Sequence, residues 1–339
     1  MRTTLYGCAY TATLLRTALS FVETVLGFSI SRLRTLFPPL VNGIVVMLIG
    51  LTLIPVGMDY AAGGVAAPDY GAPANLVMAG VVFSVTLLLN RFAKGFLSHA
   101  SLLVGAVAGY ALAIALGRVD FSAVSAAGLL AAPRPLAFGL EFHADAILLM
   151  AFIYVISAME TIGDISATLA AVERDATTEE LRGGLIADGV MSGVAALFSA
   201  FPNTSYSQNV GLVNFTGVVS RHVTAISGVI LVVFGLVPVV GAGFATIPAP
   251  VIGGGGLIMF SMIFASGVAI LQRGVELNQR NMIVLAVSLG LGLGIELRPD
   301  VLQSMPDWVR TFFGSGLITG GLSALVLNVV LPAEEDGSA

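Results

Sequence analysis

The 339-residue chain is 57% hydrophobic and 10% charged, and its mean hydropathy is +0.96. Soluble domains carry about 25% charged residues. This chain has too few charged residues for a surface in contact with water, so most of the protein's surface must face lipid. The single cysteine, Cys8, excludes a disulfide framework and a cysteine-based metal site, and the small net charge of −5 offers no basic patch for nucleic acid.

Apolar runs of the length of a membrane helix recur along the whole chain, which predicts an all-α polytopic membrane protein. Short alternating segments, which are typical of a membrane β-barrel, do not recur. We predict eleven spans, at about 4–30, 36–58, 74–90, 98–117, 143–171, 183–201, 208–219, 222–241, 248–270, 280–296 and 312–331.

The seventh predicted span is too short to cross a bilayer, and it follows directly on a polar stretch, "FPNTSYSQN", at 201–209. Pro202 disfavours continuation of the preceding helix, and the Ser, Thr, Tyr and Asn residues after it favour extended or capping geometry. The stretch therefore predicts a broken span, with a short strand near 202–207 and a half-helix that begins near Gln208. Interrupted spans of this kind form the substrate sites of secondary transporters.

Arginine occurs in alternate loops, for example at Arg32 and Arg34 and again at Arg273 and Arg280. By the positive-inside rule these loops are cytoplasmic. Arg118 and some other arginines lie in the opposite loops, so the chain follows the rule imperfectly. The pattern predicts a cytoplasmic C-terminal tail at 332–339.

Ionisable groups inside spans are costly and are functional candidates, and the strongest candidates here are three carboxylates of two consecutive predicted spans. Glu160 and Asp164 are four residues apart and share one helix face, and Asp188 lies in the next span. Gln208 and Glu160 together offer the donors and acceptors that match the rim of a flat heterocycle such as xanthine or uric acid. Asp164 suits proton coupling, because burial makes the charged form of a carboxyl group costly.

Simpler structural roles stay open for several of these residues. Glu160 and Asp164 can pair with arginines at a helix end, and Asp188 can hold the broken segment instead of contacting a ligand. Asn209 can tie backbone groups together, and Gly211 can permit close helix packing. Thr177 and Glu180 predict a helix-capping box, and "VIGGGG" at 251–256 predicts close helix packing rather than a phosphate loop.

The stretch "SQNVGLVNFTGVVSR" closely resembles the signature of the nucleobase–ascorbate transporters, also called the nucleobase:cation symporter-2 family. The signature positions are Gln208, Asn209, Gly211 and Thr216. "ETIGD" at 160–164 and "ADG" around Asp188 resemble two further motifs of the family, in the same order.

The resemblance implies a role for each residue of the site. Substrate binding is implied for Glu160, Gln208 and the backbone around Tyr206 and Ser207. Proton coupling is implied for Asp164, and support of the site for the remaining positions, which are Asp188, Asn209, Gly211 and Thr216. Glutamine at position 208 is more similar to xanthine and uric acid carriers than to uracil carriers.

The family fold implied has fourteen segments in two inverted repeats of seven, often in a homodimer. It assigns 4–30 and 143–241 to a substrate-binding core domain and 36–117 and 248–331 to a gate domain. The present spans match the fourth to the fourteenth segments. The chain is therefore expected to be a truncated form of a longer protein, or else a natural but impaired variant.

The sequence thus predicts a membrane symporter, not an enzyme, that carries a purine across the bacterial inner membrane with a proton or a sodium ion and needs no cofactor. No nucleophile–base set supports a membrane enzyme. One alternative is an inorganic-anion transporter of the same fold, and another is an inactive subunit or scaffold.

Overall fold

A computed structural model describes residues 24–28, 38–136, 144–170, 174, 176–198, 200–206 and 220–332. Within these ranges the chain is helical and contains no strand. Four of the described helices are long and apolar enough to cross a membrane, namely Pro39–Ala61, Pro73–Phe92, Ala249–Gln272 and Gln279–Leu297. The helical, multi-pass class is confirmed, while the number of spans stays a prediction.

The helices are numbered here in chain order from residue 39. They are α1 (Pro39–Ala61), α2 (Pro73–Phe92), α3 (Phe96–His99), α4 (Ser101–Ala115), α5 (Ser122–Ala126), α6 (Ala144–Ala170), α7 (Thr178–Leu197), α8 (Arg221–Leu236), α9 (Pro238–Ala245), α10 (Ala249–Gly274), α11 (Gln279–Leu297), α12 (Asp307–Phe313) and α13 (Gly316–Val330). Residues 24–28 are also helical, and a 3-10 helix follows α11 at Pro299–Leu302.

The chain divides into two compact units. The first contains Met1–Thr52, Arg134–Gly217 and Ile263–Ala339, and the second contains Leu53–Pro133 and Val218–Met262. The units are defined by internal contacts, whereas the predicted core and gate domains concern which parts move during transport. The core and gate assignment therefore stays a prediction.

The core of the first unit joins the helices that carry the candidate carboxylates to the rest of that unit. Its buried cluster includes Ala158 and Ile162 from α6 and Leu181 and Leu185 from α7. These side chains pack with buried residues of α1, α11 and α13, which are Val41, Ile44, Leu48, Val284 and Ile318. This packing fixes the rotation of α6 and α7, and so decides which of their side chains face away from the core.

The start of α7 confirms the predicted capping box. The Thr177 side chain accepts a hydrogen bond from the Glu180 backbone N–H, and the Glu180 carboxylate accepts one from the Thr177 backbone N–H. This second bond, together with Arg174, holds the pKa of the Glu180 carboxyl below its usual range. The cap sets the residue at which the Asp188 helix begins.

Two predicted spans differ from the structure, and two others lie largely or wholly outside the described residues. The span predicted at 222–241 is broken between α8 and α9, which meet at an angle of 88°. Pro238 lacks an N–H, and its ring would clash with a continuing helix, so α8 ends before it. The predicted 4–30 is described only at 24–28, and 208–219 is not described.

The last predicted span, 312–331, begins later than expected. Helix α12 ends at Phe313, and α13 begins at Gly316. The Glu296 carboxylate accepts a hydrogen bond of 3.0 Å from the Gly316 backbone N–H. A free N–H in the first turn of a helix needs such a partner. Here the partner lies twenty residues earlier in the chain and contacts the first residue of α13.

The glycines of "VIGGGG" lie inside α10 and have the predicted packing role. A Cβ atom on Gly253 would lie 2.1 Å from the Ala61 backbone nitrogen, and one on Gly254 would lie 2.3 Å from the Ala79 carbonyl oxygen. Both neighbours are backbone atoms, which cannot move aside as a flexible side chain can. Close approach of helices at small residues is a common packing mode in membranes.

We therefore expect Gly253→Ala to destabilise the protein by about 1–3 kcal/mol, the usual cost of overpacking. Gly80→Ala is the matched control, because a Cβ atom there meets nothing within 4 Å. The control should be neutral or stabilising by about 0.5–1 kcal/mol, since alanine favours helices. Thermal unfolding in detergent compares the two variants, and equal melting temperatures would contradict the packing role.

Candidate functional site

Helix α6 carries a polar stripe on the side that faces away from the core. Ser157, Glu160, Thr161 and Asp164 lie three, four and seven residues apart, which places them on one helix face. Glu160 and Asp164 are half-buried, and Thr161 is buried. The same helix buries Ala158 and Ile162 in the hydrophobic core, so its two faces have separate roles.

The stripe is joined to α7 by a hydrogen bond between two side chains. The Thr161 hydroxyl donates to the Asp188 carboxylate over 3.0 Å. This bond joins α6 to α7, so the structural alternative for Asp188, in which it holds the broken segment, also stays a prediction. Contact of Asp188 with a ligand stays a prediction.

The polar stretch at 200–206 forms neither helix nor strand and is fastened to both helices by its central residues. The Ser205 hydroxyl donates to the Asp164 carboxylate over 2.6 Å, and the hydroxyls of Thr204 and Ser157 lie 3.1 Å apart. On the α7 side, Ser192 bonds the backbone of Asn203. Three consecutive residues of the segment thus contact side chains of α6 or α7.

The predicted site residues fall into two groups. Glu160, Asp164 and Asp188 lie on adjacent helices of the first unit, and Tyr206, which is 45% exposed, follows the fastened residues. The others lie outside the described residues, and these are Ser207, Gln208, Asn209, Gly211 and Thr216. The proposed roles of all nine residues stay predictions. The short strand predicted near 202–207 is not confirmed, since 202–206 is irregular.

Sequence reasoning missed the hydroxyl side chains of this region. Ser157 and Thr161 had a detectable signal, because they complete the helical stripe of Glu160 and Asp164. Ser192 had a weaker one, since it lies four residues after Asp188 on the same face of α7. Ser205 had none, because serine in an irregular segment does not show which helix it will contact.

The polar side chains of α6 and α7 hold an irregular segment in place by hydrogen bonds. A few well-placed polar groups of this kind are also what a small-molecule binding site needs. Backbone groups of such a segment need partners from the surrounding protein when water is excluded. The Ser192 hydroxyl of α7 is the partner of both backbone groups of Asn203, and the Asp164 carboxylate accepts from the side chain of Ser205. Among the described residues no group of three His, Cys, Asp or Glu side chains is placed to hold a metal ion.

The family is decided by comparison with known proteins. A model described as "Permease family" matches residues 3–301, which is most of the chain. The chain belongs to this family. The resemblance found in the signature around Gln208 and Asn209 is thereby confirmed, and the protein is a transporter rather than an enzyme.

Curated relatives match over nearly all of this chain and over part of their own length. "Putative purine permease CPE0397" of Clostridium perfringens is 44% identical over 92% of this chain and 69% of its own. The xanthine permease XanP of Escherichia coli K12 is 40% identical over 93% of this chain and 70% of its own. The uric acid transporter UacT of the same organism is 40% identical over 92% of this chain and 65% of its own.

Proposed function

We propose that this permease carries a purine nucleobase, xanthine or uric acid, across the bacterial cytoplasmic membrane together with a proton. Nucleobase transport is supported by the names of the relatives, which are purine, xanthine and uric acid permeases. The observation that carries the proposal is the polar stripe of α6, which contacts the irregular segment at 200–206, two residues before Gln208 in the sequence.

The substrate class follows from the groups near this segment. Glu160 offers a carboxylate acceptor, and Gln208 offers an amide with a donor side and an acceptor side. Xanthine and uric acid carry N–H donors and carbonyl acceptors around one flat rim, so these two side chains can bind one purine in its plane. A base with a different rim would leave a buried group unpaired, which is the basis of strong discrimination.

Proton coupling is proposed through Asp164. Its carboxylate accepts a hydrogen bond from the Ser205 hydroxyl, so the charge on Asp164 affects how firmly the irregular segment is held. A bond from a hydroxyl to a charged carboxylate is stronger than one to a neutral acid. Protonation of Asp164 would therefore loosen the segment at one stage of the transport cycle. Sodium is the other candidate coupling ion.

The remaining features of the proposal are the homodimer, the absence of a cofactor, the cytoplasmic C-terminus and the division into core and gate. The homodimer and the division into core and gate are implied by the family resemblance. The arginines of alternate loops support the orientation through the positive-inside rule.

Uptake measurements test this function. The natural gene would be expressed in a bacterial strain without purine permeases, and uptake of labelled xanthine, uric acid, uracil and sulfate would be compared. We expect uptake of xanthine or uric acid that a protonophore abolishes and that replacement of sodium by choline leaves intact. Uptake of sulfate alone would contradict the nucleobase assignment, and resistance to the protonophore would contradict proton coupling.

A further inference from the structure

One hydroxyl of α7 is used in an unusual way. Ser192 is fully buried, at 0% exposed, and its hydroxyl bonds the backbone of Asn203 twice. It accepts from the Asn203 N–H over 2.9 Å and donates to the Asn203 carbonyl over 3.2 Å. A single side chain thus satisfies both backbone polar groups of one residue in the irregular segment.

Serine inside a helix more often bonds a carbonyl of its own helix, four residues earlier. Within the described part of the chain, Ser166, Ser227 and Ser323 do so. Ser192 reaches out of its helix instead. Its bonds therefore contribute to holding the irregular segment rather than to the stability of α7 alone.

The Asn203 anchor lies five residues before Gln208 in the chain. A slip of the segment by one residue would displace the following chain by about 3.4 Å. Hydrogen bonds tolerate only a few tenths of an ångström, since their donor–acceptor distances fall between about 2.7 and 3.2 Å. The register of the segment on α7 therefore decides whether Ser205 can reach the Asp164 carboxylate on α6, one helical turn from Glu160.

We propose that Ser192 is a positioning residue for substrate selectivity. It fixes the register of the irregular segment on α7, and it acts on the purine through the segment without touching the purine itself. This inference rests on the proposed nucleobase function. It assigns a selectivity role to a residue outside the predicted site.

The test compares Ser192→Ala with Ser192→Thr, which keeps the hydroxyl, and with Ser288→Ala. Ser288 is the matched control, because it is also 0% exposed and its hydroxyl has no hydrogen-bond partner among the described residues. Dissociation constants for xanthine and hypoxanthine, which lacks one rim carbonyl, would be measured on the purified transporter expressed from its natural gene. Their ratio does not depend on the fraction of folded protein.

We expect Ser192→Ala to weaken xanthine binding by about tenfold and to reduce the preference over hypoxanthine by a similar factor. Ser192→Thr and Ser288→Ala should keep the wild-type preference. An unchanged preference in Ser192→Ala would overturn the inference, even if the melting temperature falls, because that result indicates a structural role only. Absence of purine binding by the wild type would instead refute the proposed function, and the inference with it.

Discussion

Glu160→Gln is expected to abolish purine uptake. Glutamine has nearly the same shape as glutamate, but it replaces one acceptor oxygen by an NH₂ donor, which would then face an N–H of the purine. Hydrogen bonds to charged groups contribute about 1.5–3 kcal/mol, and an unpaired buried donor adds a similar cost. The affinity for xanthine should therefore fall by about 100-fold or more.

Glu276→Gln provides the control for this change. Glu276 is exposed in the loop between α10 and α11, and the substitution is chemically identical. Binding of labelled xanthine to the purified proteins separates affinity from abundance in the membrane. Wild-type affinity in Glu160→Gln would show that Glu160 does not bind the base, whatever happens to uptake.

Asp164→Asn is expected to separate binding from proton coupling. Asparagine is neutral, like the protonated form of Asp164, and its amide oxygen can still accept the Ser205 hydrogen bond, although more weakly than a charged carboxylate does. It cannot bind and release a proton in the physiological range. We therefore expect the variant to bind xanthine within about threefold of the wild type, which corresponds to less than about 1 kcal/mol.

Vesicles with an imposed pH difference measure the coupling. One proton moving across a difference of one pH unit releases about 1.4 kcal/mol, which supports about tenfold accumulation of a neutral substrate. The wild type should accumulate xanthine to this extent, and Asp164→Asn should not, although it still exchanges internal for external xanthine. Asp300→Asn, at an exposed position of the 3-10 helix, is the control. Accumulation by Asp164→Asn at the wild-type level would exclude Asp164 as the coupling residue.

Most helix positions follow from the sequence, because the chain has long apolar runs with short polar interruptions. The predicted span at 74–90 corresponds to α2 at Pro73–Phe92, and 280–296 corresponds to α11 at Gln279–Leu297. The break before α9 also had a local signal, since Pro238 cannot continue a helix, and it was missed. The start of α13 had no such signal, because it involves Glu296, which lies far away in the sequence.

The candidate site, like the fold, could be predicted from the sequence only in part. The sequence alone places Glu160 and Asp164 on one helix face, because helical periodicity is a local property. It also identifies the family through the signature around Gln208. Which hydroxyl meets which carboxylate is not a local property, and nothing in the sequence pairs Ser205 with Asp164 or Thr161 with Asp188.

What the sequence by itself determined is the membrane class, the positions of most helices, the capping box of α7 and the family. Each depends on residues that are close together in the chain. Only the tertiary structure decided that Ser192 holds Asn203 and that Glu296 contacts the first residue of α13. These contacts depend on the rotation and separation of packed helices, which the whole core fixes and no short stretch of sequence encodes.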